Sequence, residues 1–251
     1  MELSIVVPAF NEESCLQQSV DKIEAYLHNR YGESVDRESE VVLVLEKSSD
    51  RTGTIGAELA RKYANVRLLA NEGKMGKGYS VRRGMLAARG DYRLFTDADL
   101  STPIETVDEA VRQLRGYAVV IGSRRCDGAV IVHPQTIGRR LSGLAFRLMT
   151  KYLLRLPYHD TQCGFKGCRG EWAQVLFGDL TTTGFCFDVE LLLQARSYLG
   201  CAVREMPVIW ADSGHSSVSV RRDIRRVWRE LWRLRQSYYV QGAIRCQALP
   251  H

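Results

Sequence analysis

The sequence predicts an α/β fold in which a mostly parallel sheet is covered by helices on both faces. Short apolar runs rich in β-branched residues alternate along the chain with longer segments of helical apolar spacing. This alternation is typical of parallel strands that are joined by helices. The chain has 251 residues, of which 45% are hydrophobic and 25% charged. That balance indicates a folded globular protein and excludes disordered, collagen-like and multi-span membrane classes.

The first half of the chain supplies most of the predicted sheet. Its apolar runs are short, and the first two are rich in β-branched residues, which favours strands over helices. The segments between them have the spacing of amphipathic helices. The predicted strands are Ser4–Val7, Val41–Leu45, Val66–Leu69 and Tyr92–Phe95, and the predicted helices are Glu12–His28 and Gly76–Ala88.

The second half continues the same pattern without a repeat, a low-complexity tract or a linker, so a single domain over residues 1–251 is predicted. Thr102 is expected to cap a helix that starts at Pro103, because proline suits the first turn of a helix. The further elements are strands Ala118–Ile121 and Ala202–Met206, helices Thr136–Leu156, Glu171–Phe177, Phe187–Tyr198 and about Val220–Val240, and a loop at Pro157–Lys166.

The cysteines and the N-terminus indicate a cytoplasmic protein. Seven scattered cysteines without a Cys-x-x-Cys pair are typical of reduced thiols rather than of a disulfide framework or a zinc site. The first ten residues lack the basic start and long apolar run of a signal peptide. No segment approaches the roughly 20 apolar residues that cross a bilayer. We expect a cytoplasmic location, with peripheral contact at the inner face of the membrane as an open alternative.

The last predicted helix, at about 220–240, carries most of the net charge of +6. Seven arginines stand between positions 221 and 235 against one aspartate and one glutamate, in a helix with an apolar stripe bounded by Trp228 and Trp232. This pattern is typical of an amphipathic helix on an anionic bilayer surface. The alternative is a terminal helix that packs its stripe on the core. Nucleic-acid binding is not predicted, because no recognised nucleic-acid fold accompanies the charge.

Asp97 and Asp99 are the leading site candidates. They follow the predicted strand Tyr92–Phe95, and ligands of open α/β sheets bind outside the carboxyl ends of the strands. Such a pair can hold Mg²⁺ or Mn²⁺, which prefer oxygen ligands and share them with a diphosphate. One carboxylate can instead accept from a ribose hydroxyl. The alternative is a capping aspartate beside a solvated one.

Four separated motifs extend this interpretation. They read VPAFNEE, N-x-G-x-x-G-K-G, FTDADLSTP and DTQCGFK, at 7–13, 71–78, 95–103 and 160–166. In this order they strongly resemble family-two glycosyltransferases of the GT-A fold, in particular the polyprenyl-phosphate branch that includes dolichyl-phosphate glucosyl- and mannosyltransferases. The resemblance extends from the first strand to about residue 235. It implies a Rossmann-like GT-A sheet and an inverting transfer from a nucleotide-diphosphate sugar.

The resemblance also implies a donor site and a metal. Glycines around Lys77 allow close backbone approach, and a helix N-terminus with a lysine favours phosphate. The alternative for His215 is a plain loop residue. The implied donor-binding residues are Pro8, Ala9, Asn11, Glu12, Glu46, Lys77, Asp97 and Ala98, and the implied ligands of Mg²⁺ or Mn²⁺ are Asp97, Asp99 and His215.

The DTQCGFK motif is implied to lie at the sugar and the acceptor, and it matches the glucosyl branch more closely than the mannosyl branch. A hydroxyl acceptor would need a carboxylate as base, whereas a phosphate acceptor is already ionised and needs cations to steer it. The alternative for Asp160 is a turn cap, and for each arginine a solvated surface charge. The catalytic candidates are Asp160 and Asp188, and the acceptor-binding candidates are Arg124, Arg139 and Gln162.

Two segments depart from the family pattern. Where the family has Asp-Asp-Gly-Ser after the second strand, this chain has Leu45, Glu46, Lys47 and Ser48. In the family, the acidic position contacts the nucleobase. Glu46 can still accept a hydrogen bond from a ring N–H of a nucleobase, although its carboxylate is displaced by one methylene. Ser217 stands where the family commonly has a lysine after the last strand, which weakens the expectation of a lipid-phosphate acceptor.

The predicted function is therefore that of a metal-dependent inverting glycosyltransferase, with a polyprenyl phosphate at the membrane surface as acceptor. A soluble small molecule is the alternative acceptor. A second alternative is a catalytically silent protein that binds a sugar nucleotide or docks on a membrane. The rival enzyme class is a nucleotidyltransferase, which would release pyrophosphate. The oligomeric state is not predicted.

Overall fold

A computed structural model of the chain describes residues 1–73, 75–132, 137–198, 200–211 and 220–240 and, within them, every side chain except those of 137–142, 220–226 and 240. Most of its strands form one sheet. The strands are β1 (Leu3–Ala9), β2 (Ser39–Leu45), β3 (Val66–Ala70), β4 (Tyr92–Phe95), β5 (Val119–Ser123), β6 (Val130–Ile131), β7 (Lys166–Arg169), β8 (Val203–Pro207) and β9 (Ile209–Trp210).

The main sheet has seven strands in the order β3-β2-β1-β4-β7-β5-β8. All neighbouring pairs are parallel except those of β7, which runs antiparallel to both β4 and β5. The prediction of a mostly parallel sheet is confirmed. Strand β7 begins at the last residue of the predicted loop and was missed, because a short Lys-Gly-Cys-Arg run has no apolar alternation that would indicate a strand.

Helices pack on both faces of this sheet. Along β1, Val6 points into one core cluster while Ile5 and Val7 belong to the other, as the alternation of side chains along a strand requires. The helices are α1 (Leu16–Tyr31), α2 (Val35–Glu38), α3 (Thr52–Lys62), α4 (Lys77–Ala87), α5 (Thr106–Leu114), α6 (Ile137–Leu154), α7 (Gly170–Gly178), α8 (Phe187–Ser197) and α9 (Val220–Arg235).

Two helices begin later than predicted. Helix α1 starts at Leu16 rather than at Glu12, because the intervening residues bond to the connection after β2. Helix α5 starts at Thr106, and its N-cap residue is Glu105. The prediction that Thr102 caps a helix at Pro103 is wrong, since the Thr106 N–H donates to the Pro103 carbonyl and closes a separate turn before the helix.

Helices α2 and α3 and one pair of short strands lie outside the predicted elements. Strands β6 and β9 pair in parallel as a separate two-stranded sheet, and helix α3 joins β2 to β3. The predicted last helix, about Val220–Val240, is formed by α9 and a π-helical turn, Gln236–Val240, that follows it. Among the residues that the structure describes, no helix combines the length and the apolar character that a membrane crossing requires.

Candidate functional site

The sheet opens between β1 and β4 at its carboxyl edge. Strand β1 pairs with β2 along its whole length to Ala9, but it pairs with β4 only from Leu3 to Val6. Pro8 therefore lies where β1 is no longer paired on the β4 side, which suits a residue without an N–H. Ala9 and Ala98 are small and buried on the two sides of this opening. The crevice lies where an open α/β sheet binds its ligand.

The connection after β1 is tied to the connection after β2. Asn11 adopts a φ of +55°. Its side-chain oxygen accepts the Ser49 N–H at 2.9 Å, and its own N–H donates to Ser48 Oγ at 3.0 Å. The Glu12 N–H donates to Thr52 Oγ1 at 2.7 Å. These bonds hold Asn11 and Glu12 at the edge of the crevice, where the resemblance places the nucleotide.

The Glu12 carboxylate lies beside a thiol. Its Oε2 is 3.2 Å from Cys15 Sγ, which donates to it. Burial of the thiol, reinforced by the charges of Glu12 and Asp99, raises the pKa of Cys15 to about 12. The thiol therefore stays protonated, and it donates to one of the predicted site carboxylates.

Asp97 follows β4 and contacts a lysine from another element. Its Oδ1 lies 2.6 Å from Lys77 Nζ, and the Asp97 side chain is about one third exposed. The backbone of Gly164 passes directly over the carboxylate, since a Cβ on Gly164 would lie 1.9 Å from Asp97 Oδ2. A glycine is therefore required at position 164 for Asp97 to keep this place in the crevice.

Asp99 is held by its own turn. Its Oδ1 accepts the Ser101 N–H at 3.0 Å, and its Oδ2 accepts the Ser101 hydroxyl at 2.9 Å. Two carboxylates at one strand end form an oxygen donor set that fits Mg²⁺ or Mn²⁺, provided that a diphosphate supplies further oxygens. Within the described part of the chain, no group of three or more acidic, histidine or cysteine ligands comes together. His215 lies outside the described residues.

Lys77 is the first residue of α4 and faces two carboxylates. Burial acts against its charged form, but the charges of Asp97 and Asp188 outweigh it and raise the pKa of Lys77 above its ordinary value. Lys77 is therefore a fixed ammonium group beside the predicted metal ligand. An ammonium in this position can bind a phosphate.

The backbone amides at the start of α4 are used within the protein. The Gly76 N–H donates to Glu46 Oε2 at 3.2 Å. The N–H groups of Gly78 and Tyr79 donate to the Thr183 carbonyl at 2.8 and 3.3 Å. The predicted preference of this helix start for phosphate thus depends on the Lys77 side chain more than on these amides.

Glu46 lies beneath the same helix start rather than at the crevice surface. Its side chain is buried, and its Oε1 accepts the Ser80 hydroxyl at 2.9 Å. With Gly76 on the other oxygen, both oxygens of the carboxylate bond to α4 and its cap. Glu46, which was expected to contact the nucleobase, is therefore in direct contact with the helix that carries Lys77.

Asp160 and Arg124 form a buried two-pronged ion pair. Arg124 Nε lies 2.6 Å from Asp160 Oδ2, and Nη2 lies 2.9 Å from Oδ1. The backbone N–H groups of Arg124 and Gln162 also donate to this carboxylate, both at 3.1 Å. Burial opposes the charge, but Arg124 outweighs it, and the pKa of Asp160 falls to about 2. Such a carboxylate is a weak base at neutral pH.

Asp188 is paired with a lysine that sequence reasoning had not assigned. Lys166 is 1% exposed, and its Nζ lies 2.6 Å from Asp188 Oδ1 and 2.6 Å from the Cys163 carbonyl. Burial raises the pKa of Asp188, although Lys166 and Lys77 act in the opposite direction. The antiparallel pairing of β7 with β4 sets Lys166 opposite Phe95 and so brings this lysine under the site. No sequence pattern for a strand at β7 was available to indicate that position.

The remaining acceptor candidates are divided between described and undescribed parts of the chain. Gln162 Nε2 donates to the Phe185 carbonyl at 2.9 Å and joins the 160–166 loop to the start of α8. The Arg139 side chain lies outside the described residues. Sequence reasoning also missed Trp210, whose ring lies under the Arg124 guanidinium at 5.3 Å.

Comparison with known sequences decides the family. The sequence model described as Glycosyl transferase family 2 matches residues 4–177. The chain belongs to glycosyltransferase family 2. The predictions of this family and of a glycosyltransferase enzyme are thereby confirmed.

Within glycosyltransferase family 2, the chain is similar to dolichyl-phosphate beta-glucosyltransferases from several organisms. The chain is 34% identical over 224 residues to a dolichyl-phosphate beta-glucosyltransferase of Trichomonas vaginalis, covering 86% of this chain and 66% of that protein. The protein of that name from Drosophila melanogaster is 32% identical over 244 residues, covering 91% and 74%. The one from Homo sapiens is 30% identical over 220 residues, covering 84% and 68%. This chain therefore spans 66% to 74% of the length of these relatives.

Solved structures confirm the GT-A fold of this family 2 chain. Glucosyl-3-phosphoglycerate synthase from Mycobacterium tuberculosis, crystallised with Mn²⁺, uridine diphosphate and phosphoglyceric acid, matches with a TM-score of 0.67 at 19% identity, covering 94% of this chain and 78% of that one. Staphylococcus aureus TarS 1–349 in complex with UDP-GlcNAc matches with a TM-score of 0.60 at 19% identity, covering 95% and 68%.

Proposed function

We propose that this protein transfers glucose, with inversion, from uridine-diphosphate glucose to the phosphate of a polyprenyl phosphate at a membrane surface, and that it uses Mg²⁺ or Mn²⁺. In this reaction the bond between the anomeric carbon and the diphosphate breaks, and a bond from that carbon to an acceptor phosphate oxygen forms. Uridine diphosphate leaves with the electron pair. An ionised phosphate needs no proton removed before it attacks.

The observation that carries the proposal is the pairing of both candidate bases. Asp160 is bonded by Arg124, and Asp188 by Lys166. Both carboxylates are buried, so an acceptor hydroxyl would find its two candidate bases already engaged by cations. An acceptor that arrives as an anion requires neither carboxylate as a base, and it is attracted by the cations of the crevice.

On the donor side, Asp97 and Asp99 would hold the divalent cation, and Lys77 would contact the diphosphate. When bound, the metal neutralises the charge that develops on the diphosphate as it leaves. Lys77 is already held by the Asp97 carboxylate at 2.6 Å, so its ammonium needs little reorganisation to act on the leaving group.

On the acceptor side, Arg124 is held in place for an anion. Asp160 engages Nε and Nη2, and a guanidinium has five N–H donors, so donors remain for an acceptor phosphate. The Trp210 ring supports the guanidinium from one face. Arg124 would therefore steer the acceptor phosphate, while Asp160 fixes the orientation of the Arg124 guanidinium.

An exposed apolar ridge next to Trp210 suits a lipid acceptor. Val130 and Ile131 pair with Ile209 and Trp210, and the adjacent Val132 N–H donates to the Trp210 carbonyl at 2.9 Å. The side chains of Val130, Ile131, Val132 and Ile209 are all about half exposed. Exposed apolar groups in such a cluster mark a binding surface, and here they lie one residue from the ring that supports Arg124.

The surface formed by α6 and α9 supports contact with an anionic membrane. The two helices pack against each other. The apolar stripe of α9 packs on the core through Leu231 and Leu234, as in the alternative for this helix, so only the exposed side chains of α9 are free to meet a membrane. Helix α6 exposes Leu144, Leu148 and Tyr152 at four-residue spacing, and α9 exposes Trp228 and Trp232, whose rings stack at 6.2 Å. The sequence adds seven arginines between positions 221 and 235. Tryptophan with clustered arginine favours the headgroup region of an anionic bilayer.

The names of relatives support this choice of acceptor, and a structural neighbour supports the choice of nucleotide. The Trichomonas, Drosophila and human relatives are dolichyl-phosphate beta-glucosyltransferases. The Mycobacterium tuberculosis neighbour binds uridine diphosphate with Mn²⁺ or Mg²⁺. These names agree with the anionic acceptor and the oxygen donor set that the site supports.

The test is transfer of radiolabelled glucose from uridine-diphosphate glucose in the presence of Mn²⁺. Polyprenyl phosphate in phosphatidylserine vesicles is the first acceptor, and phosphoglyceric acid is the soluble one. We expect label in an acid-labile glycolipid and release of uridine diphosphate. Label on phosphoglyceric acid alone would establish the soluble alternative, and release of pyrophosphate would indicate a nucleotidyltransferase.

A further inference from the structure

Glu46 belongs to a buried hydrogen-bond chain that ends at α4. Its two oxygens accept the Gly76 N–H and the Ser80 hydroxyl. Asn71 Nδ2 donates to Ser80 Oγ at 2.9 Å, and Arg83 Nη1 donates to Asn71 Oδ1 at 2.6 Å. Both ends of the first turn of α4 are thus tied to the end of β2 through one carboxylate.

The backbone on the other side of this helix start is equally constrained. A Cβ on Gly76, whose φ is +96°, would lie 2.5 Å from the Thr183 carbonyl oxygen, and one on Gly78 would lie 2.7 Å from the Thr182 carbonyl oxygen. The first turn of α4 therefore lies between the 182–184 connection and Glu46. Lys77 is between the two glycines, so the place of its backbone is set from both sides.

We propose that Glu46 is a positioning residue, which holds the first turn of α4 so that Lys77 meets Asp97 and the donor diphosphate, and that it does not read the base. A carboxylate at a helix N-terminus accepts a hydrogen bond from an N–H that has no partner within the helix, and it interacts favourably with the helix dipole. Its effect reaches the donor through Gly76 and the neighbouring Lys77. This inference rests on the proposed use of a nucleoside diphosphate.

The environment of positions 45 and 46 argues against a base contact. Leu45 is apolar and 5% exposed, and it packs in the core with the neighbouring strands. Glu46 is 6% exposed, and each of its oxygens already accepts a hydrogen bond from the protein. The Glu46 carboxylate is thus engaged within the protein, where it supports the first turn of α4.

Separate probes for the two ends of the donor distinguish positioning from base reading. Calorimetry would measure the binding of pyrophosphate and of uridine, each with Mn²⁺, to Glu46→Ala, Glu46→Gln and Ser80→Ala. Glu72→Ala is the control, since Glu72 is an exposed carboxylate of the same connection. We expect Glu46→Ala to weaken pyrophosphate binding by about tenfold and to leave uridine binding unchanged, because pyrophosphate depends on a placed Lys77.

The conservative variant gives a second readout. Glu46→Gln keeps an acceptor for the Gly76 N–H, so we expect it to recover most of the pyrophosphate affinity, while Ser80→Ala should show a smaller loss of the same kind. A residue that served only global stability would lower the melting temperature without a selective loss of pyrophosphate binding. Weakened uridine binding with unchanged pyrophosphate binding would overturn the proposal and restore Glu46 as a base contact.

Hydrogen exchange tests the positioning without any ligand. In Glu46→Ala we expect the amides of Gly76 to Ser80 to exchange faster than in the wild type, while those of α5 do not change. Unchanged exchange at α4 would overturn the inference about Glu46. Failure of the wild-type protein to bind uridine diphosphate would instead count against the proposed function, so the two failures are distinguishable.

Discussion

Lys77 Nζ lies 2.6 Å from Asp97 Oδ1, so the chain's own ammonium group neutralises the carboxylate that is predicted to hold a metal. The two residues come from different elements, the start of α4 and the end of β4. A divalent cation at Asp97 would face this ammonium, whereas a diphosphate arriving with the metal would be attracted by it. Binding of metal and nucleotide should therefore be coupled through Lys77.

Lys77→Gln tests that coupling. We expect the variant to bind Mn²⁺ alone several-fold more tightly than the wild type, because a like charge next to the metal is removed. We also expect turnover to fall by about 10²–10³-fold, because the leaving diphosphate loses a placed cation. Calorimetry and the transfer assay measure the two effects. Lys22→Gln, on the exposed side of α1, is the control, and unchanged Mn²⁺ binding in Lys77→Gln would contradict the coupling.

Asp99→Ala separates an enzyme from a silent docking protein. Asp99 is fixed by Ser101 at the mouth of the crevice, and removal of a metal ligand should reduce turnover by about 10²-fold or more. Sedimentation with phosphatidylserine vesicles should not change, because the variant leaves α6 and α9 intact. Ser101→Ala, which removes only the bond that orients Asp99, should give a smaller loss. A variant with full transfer activity would exclude Asp99 from the site.

Asp160→Asn should show a pH-dependent loss of stability. The folded-state pKa of Asp160 is about 2, below its ordinary value of 3.8. Its charged form therefore stabilises the fold above about pH 4, and this contribution disappears as the pH falls towards 2. At pH 7 we expect a loss of about 2 kcal/mol in the free energy of unfolding, from a shift of nearly two pKa units.

Urea titrations at several pH values measure this effect. The difference between wild type and Asp160→Asn should shrink as the pH is lowered from 5 towards 2, since the carboxyl is protonated first in the unfolded chain, near pH 3.8, and then in the folded protein, near pH 2. Asp36→Asn, at an exposed position of α2, is the matched control. A difference that is constant over this range would mean that Arg124 is not stabilised by the charge of Asp160.

Membrane contact through the α6–α9 surface can be tested by sedimentation. Trp228→Ser with Trp232→Ser removes exposed rings, and Arg225→Gln with Arg226→Gln and Arg229→Gln removes cationic charge. We expect each set to weaken binding to phosphatidylserine vesicles by about tenfold or more. Only the tryptophan set should keep the wild-type dependence on salt.

The control for the arginine set removes the same number of cations elsewhere. Lys22→Gln, Arg37→Gln and Arg61→Gln lie at exposed positions of α1, α2 and α3. If this control weakens sedimentation as much as the arginine set does, then net charge rather than the α6–α9 surface is responsible. Binding that is unaffected by either set would exclude the surface as a membrane contact.

The strands could be predicted from the sequence wherever a local residue pattern indicates a strand. The runs at β1, β2, β3 and β4 are short and mostly apolar, and those at β1 and β2 are rich in β-branched residues. Asp97 and Asp99 could be located in the same way, because they follow such a run. Strand β7 could not, because Lys-Gly-Cys-Arg acquires a strand conformation only by pairing with β4 and β5.

The roles of charged side chains were harder to predict from the sequence than their positions. Asp160 lies in the DTQCGFK motif and Asp188 was a second catalytic candidate, and the sequence left open whether either acts as a base. Their partners, Arg124 and Lys166, are 36 and 22 positions away along the chain, and no local pattern indicates such pairs. For the same reason, the sequence could not indicate that Glu46 forms hydrogen bonds with α4.

By itself the sequence determined the α/β fold, the family, the crevice at the strand ends and the pair of aspartates that follow β4. These features depend on local apolar patterns and on motifs of a few neighbouring residues. Only the tertiary structure decided which carboxylates are engaged by cations, that Lys77 meets Asp97, and that Glu46 supports α4 from beneath. Burial and ion pairing depend on which distant elements pack together, and they set the charge and the freedom of each side chain in the site.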